Sequence, residues 1–230
     1  MKNFTDFQEL SHIMKTELFT ALVGDVLDKM GYYHQFLPQN IKPLDNGMVV
    51  FGKAMTVLEA DFFCEQSPMS SNEKINKPFG LMFEALDSLC CDEVYICTGA
   101  SPAYALWGGL MSTRAIRLNA CGAVLNGYSR DTNEILRLGF PTFSIGTYAQ
   151  DQGVRGKVVD YRVPIEINGI RINPGDYVYG DRDGVVIIPG EISDEAFNLA
   201  IDKARGEKLV KKDLEDGMST VDAFEKFGIM

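Results

Sequence analysis

Apolar residues at helical spacing mark both ends of the chain. The segment Thr5-Asp-Phe-Gln8 has the form of a capping box, and an apolar side chain recurs every three to four positions after it. A second apolar stripe begins near Thr20 and stops at Gly31. Towards the other end, helical spacing covers residues 194–215, and a last short helix follows the Ser219 cap. The pattern predicts two N-terminal helices and a helical C-terminal tail.

Short strands alternate with helices through the middle of the chain. Helices are predicted over residues 79–89, 107–120 and 131–138, the last closed by Gly139. Buried strands are predicted over residues 48–60, 93–97, 123–125 and 141–145. Residues 62–77 are polar and predict a loop. After Val154 the apolar period becomes two, which predicts strands over residues 157–161, 165–167, 177–179 and 185–188.

This alternation predicts an α/β fold with a mixed sheet, flanking helices and a helical C-terminal tail. We expect one domain over residues 1–230, with a helical N-terminal part at 5–31, a core at 48–190 and C-terminal helices at 194–230. The sequence contains neither a Walker-type loop nor Gly-x-Gly-x-x-Gly, so a nucleotide cofactor is not expected.

Charge and cysteine content narrow the class of function. With 22 Lys and Arg against 32 Asp and Glu, the net charge is −10, which argues against a nucleic-acid partner. Neither a membrane-length apolar run nor a signal peptide is found, so we expect a cytoplasmic protein without a membrane partner. The five cysteines form no CxxC pair, which disfavours zinc, and Cys90, Cys97 and Cys121 are expected to be buried as small apolar residues.

Two loops after predicted strands contain residues suited to binding an anion or a cation. Residues 98–111 end in Gly108 and Gly109 at a helix start, where free N–H groups can cradle a carboxylate, although an ordinary strand-to-helix turn explains the glycines equally well. In the second loop, Asp131 is either a helix N-cap or a ligand for a hard divalent cation. Its neighbour Arg130 is either a surface charge or a partner for an anionic substrate.

Acidic residues late in the chain have a structural explanation. Asp176, Asp181 and Asp183 lie in the turn sequences Pro174-Gly-Asp176 and Asp181-Arg-Asp-Gly184. An EF-hand loop would need a later glutamate at fixed spacing. These aspartates are therefore expected to stabilise turns.

The two loops and several other segments resemble the RraA-like family. The resemblance lies in Trp107-Gly-Gly-Leu-Met111, Ser129-Arg-Asp-Thr-Asn-Glu134, Gly139-Phe-Pro-Thr-Phe143, the helix from Thr20 to Gly31 and the hairpin from Pro174 to Gly184. The family includes regulators of ribonuclease activity and class II pyruvate aldolases acting on 4-hydroxy-4-methyl-2-oxoglutarate. The resemblance implies a swivelling β/β/α domain, assembled as a homotrimer or homohexamer with sites between subunits.

Site roles are implied by the same resemblance. Asp131 would hold a divalent metal, Mg²⁺ or Mn²⁺, and Arg130 would contact the substrate. Backbone amides of Gly108, Gly109, Leu110 and Met111 would bind the carboxylate of a 2-oxo acid. Glu207, in the predicted tail helix, is the nearest match to a glutamate that a neighbouring subunit contributes.

The expected function is cleavage of a C–C bond in a 2-oxo acid by a metal-dependent lyase, through a pyruvate enolate. The family's aldolases commonly have an acid where this chain has Gly109, and Asp where it has Asn126. These departures favour decarboxylation of oxaloacetate over aldol cleavage. Two alternatives stay open: a non-catalytic, protein-binding regulator, and a metal-assisted reaction on a larger, sugar-derived keto acid. The second draws on the aromatic residues Tyr104, Trp107 and Tyr128, which packing explains equally well.

Overall fold

The computed structural model describes residues 3–62 and 73–228. Within these ranges the helices are α1 (Phe7–Thr16), α2 (Thr20–Lys29), α3 (Met82–Asp87), α4 (Gly109–Arg117), α5 (Thr132–Leu138), α6 (Ser193–Glu215) and α7 (Thr220–Phe227). The strands are β1 (Lys42–Pro43), β2 (Val50–Asp61), β3 (Glu93–Thr98), β4 (Ala105–Trp107), β5 (Gly122–Leu125), β6 (Tyr128–Ser129), β7 (Thr142–Ser144), β8 (Gly146–Thr147), β9 (Gly156–Tyr161), β10 (Ile165–Ile167), β11 (Ile170–Ile172), β12 (Tyr177–Gly180) and β13 (Val185–Ile188).

The long strand β2 organises the main sheet, whose order is β1-β7-β5-β3-β2-β12-β13. Strands β2, β3, β5 and β7 run parallel, whereas β1, β12 and β13 pair antiparallel with their neighbours. The second half of β2 also pairs with β9, across an irregularity between Leu58 and Glu59. The predicted α/β class with a mixed sheet, flanking helices and a helical tail is confirmed.

Side chains of β2 alternate between two faces of this sheet. Phe51 packs with α1, α2 and α6, while Met55 and Val57 pack with residues of α3 and α4. Val50 and Ala54 point to the opposite side and share a cluster with the hairpin formed by β10 and β11. The core therefore consists of helices on one side of β2 and a covering hairpin on the other, as period-two alternation requires.

A small parallel sheet, β4-β6-β8, carries the two loops of interest. The sequence did not predict its strands, which have two or three residues each and lie in or beside the segments interpreted as loops and a helix start. The helix predicted over residues 107–120 accordingly begins later, at Gly109, since Trp107 belongs to β4 and Gly108 is extended.

Other predictions are corrected at element ends. The helix predicted over 79–89 is α3, and it starts late because Phe79 and Gly80 have positive φ angles. The first helix is capped by Asp6 rather than Thr5: Asp6 accepts the N–H of Glu9, whose carboxylate accepts the N–H of Thr5. Cys90 was expected to be buried, and that was wrong, because it lies exposed in the loop after α3.

Two of the three late aspartates, Asp176 and Asp181, stabilise turns through their side chains, as predicted. Asp176 accepts the N–H groups of Asn173 and Gly190, and Asp181 accepts those of Thr20 and Asp183. Most of the loop predicted over 62–77 lies outside the described residues, apart from a 3-10 helix at Glu73–Asn76. Among the described helices, we find none long and apolar enough to cross a membrane.

Candidate active site

The two predicted loops meet because β4 and β6 are parallel neighbours. Trp107 ends β4 just before α4, and Ser129 ends β6 just before α5. The N–H of Arg130 donates to the carbonyl of Trp107 at 2.9 Å, which ties one loop to the other. Two helix N-termini are therefore placed side by side at the carboxyl ends of parallel strands, where α/β proteins commonly bind ligands.

Asp131 does not cap its own helix. It occupies the N-cap position of α5 with a left-handed backbone, at φ 57°, and its side chain makes no capping bond there. Its Oδ2 instead accepts the N–H of Gly109, at the start of α4, at 3.1 Å. This conformation is uncommon for a non-glycine residue, and aspartate is among those that adopt it most readily. The simple N-cap explanation of Asp131 is therefore wrong.

Gly108 and Gly109 permit this close approach. A Cβ atom at Gly108 would lie 2.7 Å from Oδ2 of Asp131, and one at Gly109 would lie 2.7 Å from Cγ of Glu134. Neither glycine has a φ angle that itself demands glycine. Gly108 is thus required by the Asp131 carboxylate that lies against it, whereas the neighbour of Gly109 is the half-exposed side chain of Glu134.

Backbone N–H groups at the start of α4 remain for a ligand. The N–H of Ser112 donates to the carbonyl of Gly108, so the N–H groups of Leu110 and Met111 precede the first helical bond. The N–H of Gly109 is already used by Asp131. Four backbone N–H groups were predicted to bind a carboxylate. Those of Leu110 and Met111 are the ones that remain free to donate to an acceptor outside the helix.

Arg130 is oriented by an acid that sequence reasoning missed. Its Nη1 lies 2.8 Å from Oδ1 of Asp151, and its Nε lies 3.9 Å from Oδ2 of Asp131. The ion pair with Asp151 holds the guanidinium in place, and the Arg130 side chain is about one-third exposed to solvent. The signal for Asp151 was its position shortly after β8, the third strand of the small sheet, but β8 itself was not predicted.

These residues surround a cavity of about 300 Å³. Its polar lining consists of Arg130, Asp131, Asp151 and Gln152. Its other lining residues are backbone or apolar groups, namely Phe79, Met82, Phe83, Leu86, Ala105, Leu106, Trp107, Gly108, Leu110 and Met111. A concave, largely apolar pocket with a few converging polar groups is typical of a small-molecule site.

The remaining predicted site residues lie elsewhere or pack in the interior. Glu207 is on α6, where its carboxylate pairs with Lys203, so its contribution to a neighbouring subunit stays a prediction. Trp107 lines the cavity but is fully buried between Tyr95 and Phe140, which gives it a packing role. Asn126 donates from its side chain to Thr98 and fastens β5 to the end of β3.

A buried acid lies beneath the loop that leads to β4. Glu59 is 2% exposed, its Oε1 has no hydrogen-bond partner in the described part of the chain, and its Oε2 lies 4.0 Å from Sγ of Cys97. Burial raises the pKa of Glu59 to about 8. A hydrogen bond from Tyr104 lowers this pKa, whereas the negative charge of Asp61 raises it further. Asp61 in turn accepts from Tyr104 and from the N–H of Ser101. Glu59 therefore keeps its proton at neutral pH.

We expect Glu59→Gln to change how stability depends on pH. The unfolded carboxyl loses its proton near pH 4.5, whereas the folded one keeps it to about pH 8, so the native state binds more protons between these values. Wild-type stability should therefore fall relative to the variant as the pH rises from 5 to 8, by roughly 4 kcal/mol at most. Urea unfolding of both proteins at several pH values measures this difference. A difference that stays constant with pH would contradict the buried, protonated state.

The carboxylate of Asp131 fits a hard divalent cation that retains several water ligands when it binds to a protein. The described residues contain no cluster of three or more His, Cys, Asp or Glu side chains arranged for a metal. Mg²⁺ commonly uses only one or two protein carboxylates and completes its shell with water and substrate oxygens. Asp131 is half-exposed, lines the cavity and lies beside unused backbone N–H groups. A single carboxylate at the wall of a cavity is therefore compatible with the way Mg²⁺ is usually coordinated.

Comparisons with known proteins agree with this architecture. Protein DlpA of Legionella pneumophila is 29% identical over 209 residues, which are 90% of this chain but 32% of DlpA, so the chain spans about a third of that relative. A protein of Halalkalibacterium halodurans that provisionally carries the name 4-hydroxy-4-methyl-2-oxoglutarate aldolase is 28% identical over 207 residues, 89% of each chain.

Solved structures and a family model identify the fold. Streptomyces coelicolor RraAS2, described as an unusual member of the RNase ES inhibitor RraA protein family, superposes with a TM-score of 0.76 at 21% identity, over 91% of this chain and all of that one. The expected RraA-like fold is therefore confirmed. The Aldolase/RraA family model matches residues 20–187, which include both loops and the whole small sheet. The chain belongs to the RraA-like family.

Proposed function

We propose that this protein is a divalent-metal-dependent lyase that cleaves a C–C bond in a 2-oxo acid. The observation that supports this most is the convergence of Asp131, Arg130 and the unused N–H groups of α4 at one cavity. A carboxylate, a guanidinium and free amides together suit an anion chelated to a cation. The aldolase name of the H. halodurans relative is in keeping with this assignment.

Each residue has a separate task in this proposal. Asp131 holds Mg²⁺ or Mn²⁺ and is itself fixed by the N–H of Gly109. The N–H groups of Leu110 and Met111 bind the substrate carboxylate at the positive end of α4. The cation, when bound, supplies Lewis-acid polarisation of the keto group. Apolar side chains such as Met82 and Phe83 limit water around the reacting carbons.

Arg130 stabilises the negative charge that develops as the C–C bond breaks. Its guanidinium is held by Asp151 before substrate arrives, so little reorganisation is needed during the reaction. Asp151 is a positioning residue, because its carboxylate acts through Arg130. The pair also prevents Arg130 from collapsing fully onto Asp131, whose Oδ2 is 3.9 Å from Nε.

The substrate assignment depends on the space beside Gly109. The family's acid at this position is absent, and the side chain of Glu134 lies where a side chain of residue 109 would begin. Glu134 is half-exposed and pairs with Arg137, so it is not held towards the cavity. Decarboxylation of oxaloacetate needs no proton removed from a 4-hydroxyl group. We therefore place oxaloacetate ahead of 4-hydroxy-4-methyl-2-oxoglutarate as substrate.

Assembly completes the proposal. We place the protein in a homotrimer or homohexamer in which Glu207 of one subunit approaches the cavity of the next. The exposure of Leu110, which is 87% accessible beside the cavity, supports a covering surface at this edge.

Replacing Arg130 by Ala should lower kcat for oxaloacetate by roughly 100-fold while metal affinity changes little. The reason is that Arg130 acts on charge that develops during bond cleavage, whereas Asp131 binds the cation. Steady-state kinetics and Mn²⁺ titration measure the two effects separately. Arg114→Ala is the matched control, since Arg114 forms an exposed ion pair with Asp87 outside the cavity. Loss of metal binding with kcat retained would contradict this role.

Pyruvate release from both substrates tests the proposed function. We expect pyruvate from oxaloacetate with Mg²⁺, less from 4-hydroxy-4-methyl-2-oxoglutarate, and none above background with excess EDTA. No pyruvate from either substrate, with metal bound, would point to a sugar-derived keto acid. No pyruvate and no metal binding would favour a protein-binding regulator, the role for which the RraA structures are named.

A further inference from the structure

Beneath the candidate site, two carboxyl groups share one hydroxyl group. Tyr104 is 1% exposed, and its hydroxyl donates to Oδ1 of Asp61 at 3.1 Å. The carboxyl group of the buried Glu59 lies within hydrogen-bonding range of the same hydroxyl, and its Oε1 has no hydrogen-bond partner among the described residues. Because a phenol has a single proton, the hydroxyl can donate to only one of the two acids. The arrangement is therefore satisfied only while one acid stays protonated.

The surroundings of Glu59 offer no positive charge that would offset its ionisation. Its neighbour across β9 is the buried, apolar Val158, and the α3 side chains in the same cluster are apolar too. The groups that shift its pKa are the hydroxyl of Tyr104 and the carboxylate of Asp61, and neither is a cation. A second negative charge in this interior would be costly. The titratable side chains that face Glu59 from β2, from β3 and from the loop before β4 are Asp61, Tyr95, Cys97 and Tyr104.

Tyr104 connects these acids to two segments that build the site. It immediately precedes β4, and the first N–H of that strand, from Ala105, donates to the carbonyl of Gln150 at 2.9 Å. The hydroxyl of Tyr104 also lies against Gly156, where an added Cβ would be 1.9 Å from the hydroxyl oxygen. A displacement of this hydroxyl is therefore transmitted to β4 and to residues 150–156.

We propose that Glu59 and Tyr104 are positioning residues, which hold β4 and residues 150–156 where Asp151 can orient Arg130. The hold requires the proton of Glu59, since an ionised carboxyl group would compete with the second acid for the hydroxyl and draw it away. Because burial raises the pKa of Glu59 to about 8, the hold is present at neutral pH and is lost as the pH rises through this value. The consequence for catalysis rests on the proposed function, in which Arg130 stabilises developing charge.

The single tryptophan of the chain reports on β4 without any ligand. Trp107 ends that strand, and its ring centroid is 4.8 Å from that of Tyr95. We expect the tryptophan emission of the wild-type protein to change in one step with a midpoint near pH 8. Glu59→Gln has a side chain that cannot ionise, so it should lack this step. Glu225→Gln is the matched control and should keep it, since Glu225 is exposed on α7.

A second variant separates movement of β4 from a direct effect of charge on the tryptophan. Tyr104→Phe keeps the ring and leaves Glu59 able to ionise, but it removes the hydroxyl for which the acids compete. The emission step between pH 7 and pH 9 should therefore disappear in this variant. A step of wild-type size and midpoint would show that the hydroxyl transmits nothing, and would overturn the inference.

Pyruvate release from oxaloacetate connects the step to Arg130. With saturating Mg²⁺, wild-type kcat at pH 9 should be roughly tenfold lower than at pH 7, because about one Glu59 in ten would keep its proton. KM should change less, since Arg130 acts on charge that develops as the bond breaks. The ratio of kcat at the two pH values should be near one in Glu59→Gln and about tenfold in Glu225→Gln.

The outcomes distinguish this inference from the proposed function. If wild type shows no emission step between pH 7 and pH 9, or if Glu59→Gln retains the step, the positioning role is wrong whether or not the protein releases pyruvate. The wild-type result does not depend on whether any variant folds. If the step occurs and kcat does not follow it, Glu59 does not position Arg130, and the inference is wrong while the proposed function stands. The predicted step in a protein that releases no pyruvate at any pH would contradict the proposed function and support the hold on β4.

Discussion

Asp131→Asn is expected to abolish metal-dependent pyruvate release. Asparagine keeps the size of the side chain, tolerates the left-handed backbone of residue 131 and can still accept the N–H of Gly109. It removes the negative charge that holds a hard cation. We therefore expect Mn²⁺ affinity to fall by at least roughly 100-fold, more than the loss of a supporting outer-shell group causes, with the fold intact.

The control for Asp131 is an aspartate with the same charge change and no contact with the cavity. Asp216→Asn serves, because Asp216 is exposed just after the end of α6. Calorimetric Mn²⁺ titration and pyruvate release should be unaffected in that variant. Undiminished turnover in Asp131→Asn, with melting temperature unchanged, would contradict the assignment of Asp131 as metal ligand.

Gly108→Ala is expected to have the second largest effect. The backbone of Gly108 is extended, so alanine causes no conformational strain of its own. Its Cβ, however, would lie 2.7 Å from Oδ2 of Asp131 and 3.4 Å from Cγ of Arg130. The Asp131 carboxylate must move, whereas 3.4 Å from Arg130 is ordinary contact. A displacement of about 1 Å at a reacting centre can cost roughly 100-fold in rate. We expect kcat and Mn²⁺ affinity to fall together.

Alanine variants of two other glycines serve as controls for Gly108→Ala. Gly184→Ala meets nothing within 4 Å and should leave activity unchanged. Gly109→Ala meets Cγ of Glu134, an exposed side chain that can turn away, so its effect should be smaller than that of Gly108→Ala. Equal activity in the Gly108 and Gly184 variants would show that close packing against Asp131 is not required.

The sequence predicted the elements that are long enough to show a period. β2, α6 and the strands β9, β10, β12 and β13 follow from apolar spacing. Asn168-Gly169, with positive φ at both residues, forms the turn between β10 and β11. The small sheet was missed because β4, β6 and β8 are short and lie in or beside segments whose pattern indicated loops and a helix start. That sheet is what brings Arg130 and Asp131 against the start of α4.

The sequence alone could not identify residues whose roles depend on their neighbours in the folded chain. Asp151 and Gln152 are unremarkable in a polar loop, and they matter because one orients Arg130 and the other lines the cavity. Glu59 lies in an apolar strand, where only the surrounding residues reveal that its carboxyl group is buried and keeps its proton. Asp131 was recognised, but the sequence could not tell that it bonds α4 rather than its own helix.

The most direct test of the central claim is a Mn²⁺ titration of metal-stripped protein. Bound Mn²⁺ is followed by electron paramagnetic resonance while pyruvate release from oxaloacetate is measured in the same samples. The account predicts that one Mn²⁺ binds per chain, that activity rises in proportion to occupancy, and that Asp131→Asn loses both signals. Full activity in the metal-stripped protein, or saturated Mn²⁺ binding that Asp131→Asn retains, would contradict it.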